Sequence, residues 1–317
     1  MPGKVFEILG RKVPLGESAF LELEVAKLHT RNTLKIPIIV ERAEEPGPTL
    51  LLMGGVHGDE INGVAIVRDI INKGYHHPKK GTIICIPVFN VFGYLNLSRE
   101  FPDGRDLNRV FPGSLGGSLA SQFAYKFTKE IAPLVDYVID FHTGGGERDN
   151  IAQIRCPFGD EKAFELAKVF GAPFTIHSGC ISKSVRETLT KMGKKVLLFE
   201  GGKSNHLDEE VIQCGLSGAL NVMRHLGLRD GEVEKKETIC VTKSKWIRAL
   251  FSGMLRLKVK NGASVKKKEV LAVITDSYGD FEKKILAPFD CHIVCTNTTA
   301  IVNKGDALFH VSVEIQE

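Results

Sequence analysis

The sequence predicts an α/β fold followed by a smaller all-β region, and three observations carry that expectation. Apolar runs of strand length alternate with stretches of helical apolar spacing from about residue 49 to residue 226. Several of those runs end in glycines and acids, as at residues 54–60 (GGVHGDE) and 199–202 (FEGG). After Gly227 the helical spacing stops, a charged stretch follows (residues 229–238, RDGEVEKKET), and short strand-like runs separated by turns take over. Strands alternating with helices imply an α/β sandwich built on a largely parallel or mixed sheet.

Residues 1–45 read as β material. Residues 19–25 (AFLELEV) alternate leucine and glutamate with period two, the mark of a half-exposed strand. Residues 36–40 (IPIIV) form a second strand, and Pro37, which cannot donate to a ladder, points to an edge position. Residues 49–55 (TLLLMGG) are a short apolar strand ending in glycines. Ile61, Val64, Ala65, Val67, Ile70 and Ile71 then recur at helical spacing, and residues 82–88 (TIICIPV) give the next strand. Glycine and proline crowd residues 93–117, which predicts a long ordered loop of the kind that often carries function. A helix over 118–130, a strand over 137–141, a helix over 161–170, a buried strand over 195–199 and a helix over 207–226 complete a first domain, residues 1–228. Residues 238–317 are the second, with Asn261-Gly262 as its strongest hairpin signal.

Composition narrows the class. A chain of 317 residues accommodates one large domain and a smaller one, and 43% apolar with 25% charged residues is ordinary for a globular protein. No apolar run approaches the roughly 20 residues of a membrane helix, so no membrane partner is expected. The N-terminal stretch shows no small-residue cleavage pattern, so no signal peptide is expected either. A net charge of +4 with lysine and arginine spread along the chain leaves no nucleic-acid footprint. Seven cysteines without a C-x-x-C pair read as buried thiols in a reducing cytoplasm. Cys291 and Cys295 share one strand face but stand too far apart along it for an easy disulfide.

Chemistry concentrates at strand ends. His57 and Glu60 are three apart at a strand-to-helix turn, where an imidazole nitrogen and a carboxylate oxygen can converge on one cation at about 2.0–2.2 Å. In such sheets ligands bind at the carboxyl ends of the strands. His142 directly follows the strand ending Ile139-Asp140-Phe141, so two histidines and a glutamate make up the His₂Glu donor set of a catalytic zinc site with one open position. Glu200 follows a third apolar strand, where a carboxylate is costly without a partner or a task; beside the metal it can serve as general base. In the long loop, Arg109 with Asn108 can hold a substrate carboxylate through the guanidinium fork. Arg99 can polarise the scissile carbonyl, with Arg105 as its competitor. Asp106 can hydrogen-bond the free nitrogen of a ligating histidine.

Each piece also has a plainer reading. H-x-x-E recurs by chance, His142 alone fits a turn, Glu200 alone fits a helix cap, and Asp106 with Arg109 fits a surface ion pair of little weight. His76-His77-Pro78-Lys79-Lys80 reads as an exposed loop and not a metal tract, and Trp246 and Tyr278 as packing residues of the small domain. His177 is a candidate pocket residue.

Together these motifs resemble one family. Residues 54–60 (GGVHGDE), 106–113 (DLNRVFPG), 140–143 (DFHT) and 199–202 (FEGG), in that order, are similar to the succinylglutamate desuccinylase/aspartoacylase family, a branch of the zinc carboxypeptidase superfamily. The resemblance runs from about Leu50 to Leu226 and continues into the β region. It implies a three-layer α/β/α catalytic domain with one zinc per subunit on His57, Glu60 and His142. It further implies Glu200 as catalytic base, Asn108 and Arg109 on the substrate carboxylate, and Arg99 at the carbonyl. The implied reaction is hydrolysis of the amide of a small N-acylated amino acid. A carboxypeptidase acting on peptides and a metal-binding module without catalysis are the competing readings, and a homo-oligomer through the β domain is compatible with the first. Residues 253–262, 286–288 and 302–308 resemble a biotinyl/lipoyl-like fold. The hairpin tip at 275–279 (TDSYG) has no modifiable lysine, so a lid or an oligomer contact is expected there, not a swinging arm.

Overall fold

The computed structural model describes residues 6–27 and 29–316; residues 1–5 of the N-terminal stretch lie outside it. In chain order the first elements are β1 (Glu7–Ile8), β2 (Arg11–Lys12), β3 (Ser18–Lys27), β4 (Thr33–Arg42) and β5 (Glu45–Gly54). Then come α1 (Ile61–Asn72), β6 (Lys80–Ile86), α2 (Val91–Asn96), α3 (Leu119–Glu130), β7 (Tyr137–Gly144) and β8 (Arg148–Cys156). They are followed by α4 (Glu161–Phe170), β9 (Phe174–His177), α5 (Val185–Lys191), β10 (Lys195–Lys203) and α6 (Glu209–His225). The C-terminal strands are β11 (Ile239–Arg248), β12 (Gly253–Leu257), β13 (Ser264–Val265), β14 (Val270–Thr275), β15 (Glu282–Leu286), β16 (Cys291–Asn297), β17 (Ile301–Val302) and β18 (Ala307–Gln316).

The protein is an α/β fold with a sheet-rich C-terminal part. Among the described residues, one twelve-stranded sheet runs β13-β16-β18-β11-β9-β8-β10-β7-β5-β6-β4-β3. Its centre, β6, β5, β7 and β10, is parallel, so these strands deliver their carboxyl ends to one edge of the sheet. Alternating residues split between two cores, as strands covered on both faces require. Leu51 and Met53 of β5 face the side closed by α3 and α5, and Leu50 and Leu52 the side closed by α1, α4 and α6. Helix starts follow local chemistry: Ser118, Asp160, Ser184 and Asp208 each accept an N-terminal backbone N–H.

Three expectations change. Pro37 does not mark an edge: β3 is the edge strand, and β4 pairs with β6 only over Ile39–Arg42, so the half of β4 that contains Pro37 has one free side. Second, β8, β9 and α5 did not stand out, because residues 148–156 mix charged and apolar side chains, β9 is four residues long and α5 seven. Third, the glycine- and proline-rich stretch is ordered as expected but is not all loop. It contains the end of α2 and a short 3₁₀ turn over Leu107–Arg109. It is pinned by Phe101, Leu107 and Phe111, each 0–1% exposed. Phe111 joins Phe89, Phe123 and Phe127 in edge-to-face and stacked pairs.

Residues 229–238 contain no helix or strand, yet the chain beyond them does not leave the first sheet. Strand β11 pairs in parallel with β9 over Ile239–Val241, and β16 pairs with β8 over Cys295–Asn297. Four of the C-terminal strands form a second sheet, β15-β14-β12-β17, whose residues join those of β13, β16 and β18 in a separate small core. No helix among the described residues is long and apolar enough to cross a membrane.

Candidate active site

The site forms where β5, β7 and β10 end. After Gly54 the backbone turns through Gly55, whose φ of +63° suits glycine. Gly58 packs directly on α2: a Cβ there would lie 1.8 Å from the carbonyl carbon of Gly93, so no side chain fits. This close approach fixes the turn that presents His57 and Glu60, 3% and 2% exposed. Glu60 stands at the N-cap of α1 but makes no side-chain cap bond. A cap is typically worth about 1 kcal/mol, and here the carboxylate is directed elsewhere.

Both carboxylate oxygens of Glu60 face histidines. Oε1 lies 2.8 Å from His57 Nδ1, and Oε2 lies 2.7 Å from His142 Nδ1. The ligand atoms of the three residues all lie within 4.8 Å of one another. Oε2 also accepts the backbone N–H of Thr143 at 3.1 Å, and Oε1 accepts from Arg99 Nη1 at 3.1 Å. Burial would raise the Glu60 carboxyl, but the charges and hydrogen bonds of the two imidazoles outweigh it and hold it well below the usual range.

The far nitrogen of each imidazole meets a second carboxylate. His57 Nε2 is 3.1 Å from Asp106 Oδ1. His142 Nε2 is 3.0 Å from Asp140 Oδ2, but off the direction of a hydrogen bond, so both atoms remain buried without one. Asp140 was not singled out from the sequence, although Asp140 and His142 stand two apart on one strand and so share a face. Asp106 also accepts from Asn108 N at 2.8 Å and takes Arg99 Nε and Nη2 at 3.1 and 2.9 Å. The donor set fits a metal: two imidazole nitrogens and a carboxylate converge, each imidazole backed by an acid, the arrangement that orients a zinc ligand.

Glu200 stands beside His142 in the β7–β10 ladder and completes one wall. Its Oε2 accepts Asn150 Nδ2 at 2.8 Å, and Arg155 Nε is 4.0 Å from Oε1. Asn108 Oδ1 is committed to the backbone N–H of Val185 at 2.9 Å, which leaves the donors of its amide for another partner. Asn108, Arg109 and Arg99 line the same cavity as the His-Glu-His group, a space of about 520 Å³. Arg105 does not line that cavity, and its Nε is 3.7 Å from Asp103.

Residues without a sequence signal close the cavity. Arg148, Asn150 and Arg155 come from β8, and Trp246 and Cys295 from the C-terminal strands. Trp246 is therefore not only a packing residue: it stacks on His310 at 4.8 Å, with the Arg148 guanidinium 5.1 Å from its ring centroid. Tyr278 packs little, being 89% exposed near the tip of the β14–β15 hairpin. His177 lies outside the cavity lining, accepting the N–H of Phe158 at 3.0 Å. Burial pushes the Cys295 thiol up to about 12, so it is protonated at neutral pH and no candidate nucleophile.

Comparison with known proteins follows the same residues. The description "Succinylglutamate desuccinylase/Aspartoacylase catalytic domain" matches residues 46–226, more than half of the chain. The N-alpha-acetyl-L-2,4-diaminobutyric acid deacetylase of Halomonas elongata is 29% identical over 308 residues, 92% of this chain and 90% of that protein. Among solved structures, the product-bound ectoine utilization protein EutE (DoeB) of Ruegeria pomeroyi superposes with a TM-score of 0.83 at 25% identity, over 95% and 97% of the two chains. A succinylglutamate desuccinylase of Silicibacter sp. TM1040 shares the fold with a TM-score of 0.84 at 21% identity, over 96% and 97%. The chain belongs to the succinylglutamate desuccinylase/aspartoacylase family of amidohydrolases.

Proposed function

We propose that the protein is a zinc-dependent deacylase that hydrolyses the amide bond of a small N-acylated amino acid. The observation that carries this reading is that two groups line one cavity: the buried His57–Glu60–His142 set, drawn from the ends of β5 and β7, and Glu200 on the neighbouring strand β10. His57 Nδ1, His142 Nδ1 and the Glu60 carboxylate would hold the ion. Zinc held there supplies Lewis-acid polarisation of the substrate carbonyl and lowers the pKa of water at the site to about 7.

The chain's own groups do the rest. Glu200, steadied through Oε2 by Asn150, takes the proton of the attacking water at its other oxygen and delivers it to the departing amine nitrogen. Asn108 and Arg109 receive the substrate carboxylate, the amide by its free donors and the guanidinium by its fork. Arg99, held by Asp106 and Glu60, is placed to stabilise charge that develops on the carbonyl oxygen. Trp246 and Arg148, packed against each other, take up part of the cavity wall, which favours a small substrate over a peptide chain. The C-terminal strands thus serve as a biotinyl/lipoyl-like fold turned into a cavity wall: Lys283 and Lys284 lie within β15, not at a hairpin tip. The enzyme is assigned to the cytoplasm, where its seven cysteines remain thiols.

Its relatives include an acetyl-diaminobutyrate deacetylase and a succinylglutamate desuccinylase, so the test is amine release from N-acetyl, N-succinyl and N-formyl amino acids by zinc-loaded protein, with Glu200→Ala as control. Turnover of one or a few substrates, lost in the control, is the expected result. Silence across the panel with zinc bound would overturn it.

A further inference from the structure

A second His₂Glu cluster lies at the opposite end of the sheet. His76 and His77 precede the amino end of β6, and Glu41 stands at the carboxyl end of β4, which runs antiparallel to it. Glu41 is 9% exposed and His76 7%, so the expectation of a wholly exposed loop fails for His76; the His77 side chain remains 61% exposed. A carboxylate this buried needs partners. Ser18 Oγ donates to Glu41 Oε2 at 2.5 Å, His77 Nδ1 lies 3.2 Å from Oε2, and His76 Nε2 lies 3.8 Å from Oε1. The last distance is too long for a hydrogen bond. Two ligands about 2.0–2.1 Å from one tetrahedral ion stand about 3.3 Å apart, the spacing this cluster approaches.

The geometry around His76 points the same way. Its Nδ1 is buried without a hydrogen-bond partner, and its Nε2 faces the carboxylate. The loop is already held in place. Tyr75 N–H donates to the Ile70 carbonyl at 2.9 Å, and Arg229 both donates to Tyr75 O at 3.0 Å and lies 4.9 Å from its ring centroid. Little ordering is left for a ligand to impose.

We propose that Glu41, His76 and His77 form a second binding site for a divalent transition ion of the zinc class, one that ties the α1–β6 connection to β4, away from the catalytic cavity. One of its four positions would be open to water on the His77 side. Because the ion binds the folded chain, it stabilises it.

The test is metal content after zinc loading and gel filtration, compared between wild type and two separate variants, His77→Ala and Glu41→Gln. His77 is exposed, so its variant keeps the fold, and neither residue belongs to the catalytic cavity. Wild type is expected to retain one zinc equivalent more than either variant, to show a zinc-dependent rise in melting temperature that both variants lack, and to have the same deacylation rate as both. This difference does not depend on whether the catalytic site is loaded. Equal zinc content in all three proteins overturns the proposal, as does an extra equivalent that gel filtration removes. Loss of activity in parallel with the equivalent also overturns it, since the variants would then be disturbing the catalytic site.

Discussion

The His57–Glu60–His142 cluster and the Glu41–His76–His77 cluster contain the same residue types and differ in what surrounds them. In the first, the carboxylate–imidazole distances are 2.7 and 2.8 Å, all three residues are 2–4% exposed, and each imidazole has a further acid behind it. In the second the distances are 3.2 and 3.8 Å, and the carboxylate is backed by a hydroxyl and not by charge. The first opens on a cavity lined by Glu200, Asn108 and Arg109. The second opens on solvent through His77. A donor set therefore makes a metal site possible, and the acids behind it together with the groups facing it decide whether chemistry follows.

Four variants sharpen that contrast. The largest effect is expected from His142→Ala, which should abolish amine release and remove one zinc equivalent, while His77→Ala removes its own equivalent and leaves the rate alone. Equal rates in the two variants would erase the distinction. Glu200→Gln should lower kcat about 10²- to 10⁴-fold with zinc content unchanged, the range of a lost general base; a rate within a factor of two of wild type would remove Glu200 from that role. Asp106→Asn should weaken zinc binding at the catalytic cluster about 10- to 100-fold, as loss of an acid behind a ligand does. Competition with a chelator would measure it, and no change would mean that the contact with His57 is idle. The smallest effect is expected from Arg109→Lys, which keeps the charge but loses the fork. KM should rise about tenfold with kcat little altered, since one charged hydrogen bond is worth about 1.5–3 kcal/mol. A fall in kcat at constant KM would move Arg109 from carboxylate binding to the chemical step.

Much of the fold was legible because the centre of the sheet announces itself locally. Residues 49–55, 82–88, 137–141 and 195–199 are apolar runs of strand length, and the observed β5, β6, β7 and β10 contain or overlap each of them. Strand β8 was not legible: its residues 148–156 (RDNIAQIRC) include two arginines that line the cavity, and their charges break the apolar alternation that would mark a strand.

For the site, the sequence by itself determined the residues at or just beyond the carboxyl ends of strands, because parallel strands deliver His57, Glu60, His142 and Glu200 to one edge whatever the detail of the loops. It also carried Asp106, Asn108 and Arg109 as a charged group in a long loop. Only the tertiary structure decided what touches them. Arg99 lines the cavity and Arg105 does not, because Asp106 holds the first by two nitrogens. Trp246 and Cys295 reach a cavity whose other lining residues run from His57 to Glu200, far back in the chain, through the pairings of β11 with β9 and β16 with β8. Glu41 meets His76 and His77 across an antiparallel junction that neither segment encodes alone. Local patterning fixes which end of a strand a side chain occupies; long-range pairing, which depends on the whole core, fixes its neighbours.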